Sequence, residues 1–388
     1  PWRSLGMRDK GDVIVRKTEQ FANTMLNLGM DFGVHTVAGK VELLPTNKPP
    51  RTFEVAPFHV IGEGLRWWQE LQNAMKDPYG NVRWSAYGVV LQNGGWQRLI
   101  AELDGFRFKF ASDVKKWDKH LGLWLLERVL MDVLWDLHDC DRYHEFLINF
   151  LRLNINTVYD LPTGEILLKL RAYLWNSGTV GTTFLAILMH QIIFAYHCLR
   201  VGIPEQEVFS QYFRSFSDDS IGASNSKLVA SYEERKISYL QFGLILKPED
   251  DYESESTEGI TFLGFTNRRQ YGRNTPIFSR DRILSSFLRC DSAIPRTVWA
   301  AHAFGLYSLS IWDTDPYILR DGTVKPFCDV VYGLVKHVYS QLGVGEVVAQ
   351  VGDFCAMPPS PEYLRSIELN RGKEGATGER EQYLTNCY

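Results

Sequence analysis

The sequence predicts an α+β fold, and three stretches predict it. Phe106-Arg107-Phe108-Lys109-Phe110 alternates strictly between apolar and charged residues, the period of a strand with one apolar face. The segment from Tyr212 to Ser224 has two short apolar arms around a polar tip, the pattern of a β-hairpin. Residues 184–199 form a long apolar run, and from about 285 to 367 the pattern is helical with Pro-punctuated loops. With 388 residues the chain is long enough for two or three domains, or for one large multi-lobed one.

Hydrophobic residues make up 45% of the chain and charged ones 23%, ordinary for a globular protein with a substantial core. The formal net charge of −4 argues against blanket electrostatic binding of nucleic acid, although a channel can be basic while the exterior is acidic. Six cysteines (Cys140, Cys198, Cys290, Cys328, Cys355 and Cys387) are scattered without zinc spacing, as expected of a reduced intracellular protein. His190, Gln191 and His197 interrupt the longest apolar run, which makes it a buried helix and not a membrane span. The chain shows no signal peptide and begins at Pro1 without Met, as a fragment or a product cut from a longer chain would.

In chain order, residues 1–39 carry mixed helical patterning and no motif. Lys40-Val41-Glu42-Leu43 and a short loop lead to Lys48-Pro49-Pro50-Arg51, and alternation over 51–55 predicts a strand limited by Pro on either side. Lys40, Lys48 and Arg51 are either solvated loop charges or the lining of a channel for a triphosphate, where Arg offers a bidentate fork. Residues 61–75 read as an amphipathic helix, and Asn93-Gly94-Gly95-Trp96 as a turn before a helix through Leu103. The strand at 106–110 runs into Asp113, and Asp118 follows five residues on, in the turn before a long helix over 121–137.

A helix near 142–153 precedes a hairpin that turns through Pro162-Thr163-Gly164. Ser177-Gly178-Thr179-Val180-Gly181-Thr182 then enters the apolar helix. Such a loop suits backbone and hydroxyl contacts to a sugar-phosphate chain, or is a plain helix start with a Thr cap. At the hairpin tip, Asp218 and Asp219 are adjacent. Carboxylates that close repel unless a cation lies between them, which favours a hard divalent metal. Two metals about 3.5–4 Å apart are what in-line phosphoryl transfer needs; the other reading is an acidic turn solvated at the surface. Beyond the hairpin come a charged helix over 227–240 and a strand, Gly243-Leu244-Ile245-Leu246, ending at Lys247-Pro248. Gly259 to Phe265 reads as a strand and tight turn. Arg268, Arg269, Arg273, Arg280 and Arg282 form a basic cluster suited to phosphates or to solvent, and the polar tail from Asn370 is expected to be mobile.

Taken in order, these segments resemble the palm motifs of viral RNA-dependent RNA polymerases. Asp113 and Asp118 resemble motif A, Ser177-Gly178 with Thr182 motif B, and Ser217-Asp218-Asp219 motif C. Lys247 resembles motif D, Phe262-Leu263-Gly264 the motif E turn, and Lys40-Val41-Glu42-Leu43 with Lys48 and Arg51 motif F. Six motifs in the right order with sensible spacing make a strong joint signal over roughly 40–265. Positive-strand enzymes of picornavirus-like or astrovirus-like type look closest, the latter through Gly94-Gly95-Trp96. Two departures stand out. Ser217 replaces the usual Gly of Gly-Asp-Asp, and Ala186 stands where the family has a motif B Asn that reads the ribose 2′-OH.

The resemblance implies a right-hand polymerase with fingers, a palm of antiparallel sheet over helices, and a helical thumb. Fingers would take 1–105 and 121–170, the palm 106–120 and 171–284, the thumb 285–369, and 370–388 a flexible tail. It implies template-directed attack of an RNA 3′-OH on an NTP, with Asp113, Asp218 and Asp219 holding two Mg²⁺ or Mn²⁺ ions. Lys40, Lys48 and Arg51 would neutralise the triphosphate, and Lys247 would protonate the departing pyrophosphate. Asp118, Ser177 and Thr182 would position the nucleotide, while Gly178, Arg268, Arg269 and Arg273 would contact RNA. Expected partners are template and nascent RNA, NTPs and other viral replication proteins that tether the enzyme to a membrane in the host cytoplasm. A reverse transcriptase, an inactive polymerase-like RNA-binding protein and a two-metal nuclease are the rival readings.

Overall fold

The computed structural model describes residues 34–39, 52–76, 84–89, 91–155, 157–169, 178–288, 294–352 and 357–370. Lys40, Lys48, Arg51 and Ser177, and the tail beyond 370, lie outside them. Helices and strands are mixed as expected. The described residues of Pro1–Val89 and Phe106–Glu255 pack as one unit, and those of Val90–Gly105 and Ser256–Tyr388 as another.

The first unit runs through β1 (Val34–Gly39), β2 (Thr52–Val55), helix α1 (Phe58–Met75) and β3 (Phe108–Asp113). The hairpin β4 (Val158–Asp160)–β5 (Ile166–Leu168) and helix α2 (Thr182–Arg200) follow. A second hairpin, β6 (Tyr212–Phe216)–β7 (Asp219–Ser224), helix α3 (Tyr232–Gln241) and β8 (Tyr252–Ser254) come next, and the helix Asp141–Ile155 and several shorter ones lie between these elements. One sheet has the order β2-β1-β4-β5, and the other, wholly antiparallel, β6-β7-β3-β8.

β3 begins at Phe108, two residues later than the alternation predicts, and it is central rather than half-exposed. Strands on both edges leave Lys109 buried, with its ammonium donating to the carbonyls of Glu255 at 2.9 Å and Arg107 at 3.4 Å. A buried ammonium needs such acceptors because desolvation would otherwise expel it. On the other face, Phe110 of β3 and Phe213 of β6 both lie opposite Gly222 of β7. A Cβ at Gly222 would meet the Phe110 ring at 2.2 Å, so only glycine lets these rings close over the sheet. Phe194 of α2 then stacks on Phe213 at 4.1 Å, which seats α2 against that face.

Ser112 lies on the same face, above a buried ion pair. Arg235 of α3 grips both carboxylate oxygens of Asp251 at 2.9 and 3.1 Å, hydrogen-bonds Ser112 Oγ and lies 4.7 Å from the centre of the Phe110 ring. Asp251 also accepts from Ser112 Oγ at 2.9 Å. α2 is the one helix among the described residues long and apolar enough to cross a membrane by length and composition. Its Phe184, Leu185, Ile187, Met189 and Ile193 belong to the core of this unit, around Trp68 and Leu126.

Four sequence expectations need correction. Residues 34–39, read within a stretch of mixed helical patterning, form strand β1. The helix expected over 121–137 is a short helix Leu123–Arg128, a π turn Val129–Val133 and a 3₁₀ turn Trp135–Leu137. The helix over 227–240 breaks at Ser231, whose backbone is extended, into Lys227–Ala230 and α3. The strand at 243–246 shrinks to one bridge, Leu246 with Val114, because Gly243 has φ 76° and Pro248 has no N–H to continue a ladder.

In the second unit, the helix Trp96–Asp104 packs with a three-stranded sheet of order β11-β10-β9, formed by β9 (Thr261–Phe262), β10 (Phe265–Gln270) and β11 (Arg273–Phe278). Trp96 is fully buried and donates to Asn267 Oδ1 at 2.9 Å. Helices α4 (Arg280–Leu288), α5 (Trp299–Ser310) and α6 (Phe327–Ser340) share a separate apolar core around Phe304, Tyr307 and Val331.

The buried ion pair yields the first test. Arg235→Met leaves Asp251 without its counter-charge, which costs about 3–5 kcal/mol for a buried pair broken on one side. Urea unfolding of the variant is expected to show that loss, and a cost below about 1 kcal/mol would assign the pair no structural role.

Candidate active site

The tip of the β6–β7 hairpin is a two-residue turn. Phe216 pairs with Asp219 across Ser217 and Asp218. Ser217 takes φ 60°, the left-handed region that such turns require at their first central residue and that glycine fills without cost. A non-glycine residue there costs about 1–2 kcal/mol, so the surroundings must hold the turn. Val114 N–H donates to Asp218 O at 3.3 Å, and His190 lies 2.9 Å from Ser217 O through Nδ1.

The turn brings the acids together. Asp219 lies directly opposite Asp113, at the end of β3. Burial, and then the charges of Asp113 and Asp118, hold the Asp218 carboxyl above the usual carboxylate range, against the pull of Lys247. Asp118 is raised as well, by burial first, with Lys119 opposing and Glu54 of β2 adding. It sits in the first turn of a short helix, Trp117–His120, and caps no helix: Gly122 occupies the N-cap before Leu123–Arg128.

Lys247 is drawn to the same place. Its backbone N–H donates to Asp113 O at 3.0 Å, its ammonium pairs with Asp113 Oδ2, and Asp250 lies 3.5 Å away. Burial works against that charge, but Asp113, Asp250 and Asp218 outweigh it and keep the lysine above its ordinary pKa. Asp113 Oδ1 is buried and has no hydrogen-bond partner among the described residues. One ammonium thus faces several carboxylates, which is too little positive charge for a site left to itself. Among the described residues, no three His, Cys, Asp or Glu side chains are grouped as a metal would need, so a cation here would rest on Asp113 and Asp218.

Gly178 lies against β2. Its carbonyl accepts from Ala56 N–H at 3.2 Å, and a Cβ on it would meet Glu54 O at 1.5 Å. The loop reaches α2 through Gly181, the N-cap, at φ 73°. Thr182 is not the cap; its hydroxyl donates to Thr179 O at 2.6 Å. Thr179 Oγ1 is buried with no partner among the described residues. Ala186 is fully buried in the apolar core of the unit, so an amide at that position would need a buried partner.

Arg268, Arg269 and Arg273 lie in the second unit, on β10 and β11. Arg268 pairs with Asp315 at 2.5 Å, and Arg280 grips both oxygens of Asp313 at 2.6 Å, so part of that basic cluster is neutralised within its own unit. Sequence reasoning missed Glu54, Thr179, His190, Tyr239 and Lys169. Burial pushes the Lys169 ammonium down to about 8, with Glu54 opposing, and the ammonium donates to Asn154 O. Thr179 lies inside the Ser177–Thr182 loop and His190 interrupts the apolar run, but neither was given a role; Glu54, Tyr239 and Lys169 belong to no motif.

A family model described as viral RNA-dependent RNA polymerase matches residues 37–298, a stretch that includes every acid of this site. No curated protein sequence matches the chain.

Gly178→Ala tests the close approach to β2. The added methyl meets backbone that must move, and overpacking of this kind costs about 1–3 kcal/mol. Thermal unfolding should shift down, whereas an unchanged Tm would mean that the loop stands clear of β2.

Proposed function

The chain belongs to the viral RNA-dependent RNA polymerase family, and from that premise we propose that it makes RNA on an RNA template by two-metal nucleotidyl transfer. The genome it would replicate and transcribe is that of a positive-strand virus of picornavirus-like or astrovirus-like type. The β6-β7-β3-β8 sheet over α2 and α3 would be the palm, with fingers at 1–105 and 121–170 and the thumb at 285–369.

One observation carries the reading: burial and then the Asp113 charge raise the Asp218 carboxyl at the hairpin turn, and Asp113 Oδ1 is buried without a hydrogen-bond partner among the described residues. That donor set fits a hard divalent ion. Asp113 and Asp218, assisted by Asp219, would hold Mg²⁺ or Mn²⁺, whose Lewis acidity stabilises the attacking and leaving oxygens of an in-line transfer. Lys247, kept protonated by its acidic neighbours, would give its proton to the departing pyrophosphate once it leaves Asp113. Asp118, a partly buried carboxyl near Asp218, would accept from the ribose 2′-OH.

Gly178, with Ser177 and Thr182, would let the template and nucleotide approach the loop closely, and the Thr179 hydroxyl, buried without a partner among the described residues, would be a further donor there. Lys40, Lys48 and Arg51 would neutralise the triphosphate. Arg269 and Arg273 would track RNA, joined by Arg268 if phosphate displaces Asp315. Replication proteins of the same virus would tether the enzyme to membrane in the host cytoplasm.

The direct assay offers a poly(C) template, labelled GTP and Mg²⁺ or Mn²⁺, and then dGTP in place of GTP. Asp113→Ala and Asp218→Ala are expected to lose about 10³-fold in rate or more, and Lys247→Leu about 10²-fold in single-turnover addition. Near-normal synthesis by either acid variant would sink the two-metal reading.

Sugar choice supplies a separate test. A site built to hydrogen-bond a hydroxyl rejects the analogue lacking it, because its own polar groups are left unpaired. Asp118→Ala is expected to lower kcat/KM for GTP far more than for dGTP. A GTP/dGTP ratio that does not move would remove Asp118 from ribose recognition.

A further inference from the structure

His190 is fully buried in α2, and no step described so far uses it. Its ring is boxed by Trp117, with centroids 4.8 Å apart, and by Phe213 at 5.2 Å. Nδ1 lies 2.9 Å from Ser217 O, and Nε2 lies 2.7 Å from the hydroxyl of Tyr239, on α3. A carbonyl oxygen only accepts, so Nδ1 must carry hydrogen. Burial depresses the ring to about 4, so it is neutral near pH 7 and Nε2 is bare. The Tyr239 hydroxyl is therefore the donor, and burial raises its own pKa so that it keeps its proton. The tautomer is set by the second hydrogen bond, as it is for any imidazole whose two nitrogens have different partners.

We propose that His190, held in its Nδ1–H form by Tyr239, is a positioning residue that keeps the Ser217 turn and so aims Asp218. The ring joins four pieces of the site: α2, the hairpin tip, α3 and, through Trp117, the segment that carries Asp118. It grips the carbonyl of Ser217, a non-glycine residue held at positive φ in the turn. Where glycine would need no support, serine at φ 60° does.

The inference rests on the reading that Asp218 acts in RNA synthesis, and the two fail differently. Failure of that reading shows as a wild-type chain that makes no RNA on poly(C), or an Asp218→Ala chain that still does. The state of the ring is read without turnover, from nitrogen chemical shifts of the chain carrying ¹⁵N-labelled histidine. The expected result is a neutral His190 with hydrogen on Nδ1, and a bare Nε2 whose resonance moves in Tyr239→Phe as it loses its donor. Hydrogen on Nε2 alone, or an unchanged spectrum in Tyr239→Phe, would overturn the proposal.

Variants then separate positioning from packing. In His190→Asn the amide can donate from near the Nδ1 position, whereas in His190→Gln it reaches only toward Nε2. His190→Gln and Tyr239→Phe are expected to lower kcat by about 10–100-fold, the scale of a misplacement near 1 Å, with KM for GTP little changed. His190→Asn should recover most of that loss, measured well below each variant's Tm. Equal losses in Asn and Gln that follow lost stability would reduce His190 to packing, and Tyr239→Phe decides the matter if a His190 variant does not fold.

Discussion

Like charges held together by backbone are the constraint on which the rest of the first unit depends. Asp113 ends a central strand, Asp219 pairs with it across the ladder, and Asp218 forms the turn between β6 and β7. None can move away without breaking strand pairing. Burial and then this repulsion raise the Asp218 carboxyl, and the attraction appears in the lysine recruited from beyond α3. A sheet can hold such a strained end because its middle is well packed. Phe110, Gly222 and Phe213 meet there under Phe194, and the Arg235–Asp251 pair anchors Ser112, the neighbour of Asp113.

The two faces of β3 divide the work. Phe110 and Ser112 face α2 and α3, where apolar packing and a bidentate ion pair fix the strand. Asp113, one residue further, points to the opposite face by the pleat. Rigidity is thus placed one peptide away from the charged group, and the same division recurs at the turn. His190 approaches from the packed side, at the Ser217 carbonyl, while the carboxyl of Asp218 shares its surroundings with Asp113. For an enzyme of RNA-directed RNA synthesis this matters because positioning supplies much of the rate in phosphoryl transfer.

Much of this was legible in the chain because the relevant signals are local. Alternation at 106–110 and the apolar arms around Asp218 predict strands through their period of two, and the two acids announce themselves at a turn. The order of the segments carried the family resemblance, since spacing along the chain survives where single motifs are short. Helix limits were less legible. The breaks at Val129–Val133 and Ser231 answer to packing rather than to Gly or Pro, so composition gave no warning.

The amino-acid sequence by itself determined the strand that runs into Asp113, the hairpin that carries Asp218 and Asp219, and the apolar helix that follows Gly181. Only the tertiary structure decided that Lys109 is buried, that Lys247 pairs with Asp113, and that Arg268 and Arg280 spend their charge on Asp315 and Asp313. It alone joined His190 to Ser217 and Tyr239, residues 27 and 49 positions away. The reason is physical. Periodicity and turn chemistry act between neighbours in the chain, whereas desolvation and charge pairing depend on what the fold brings within a few ångströms.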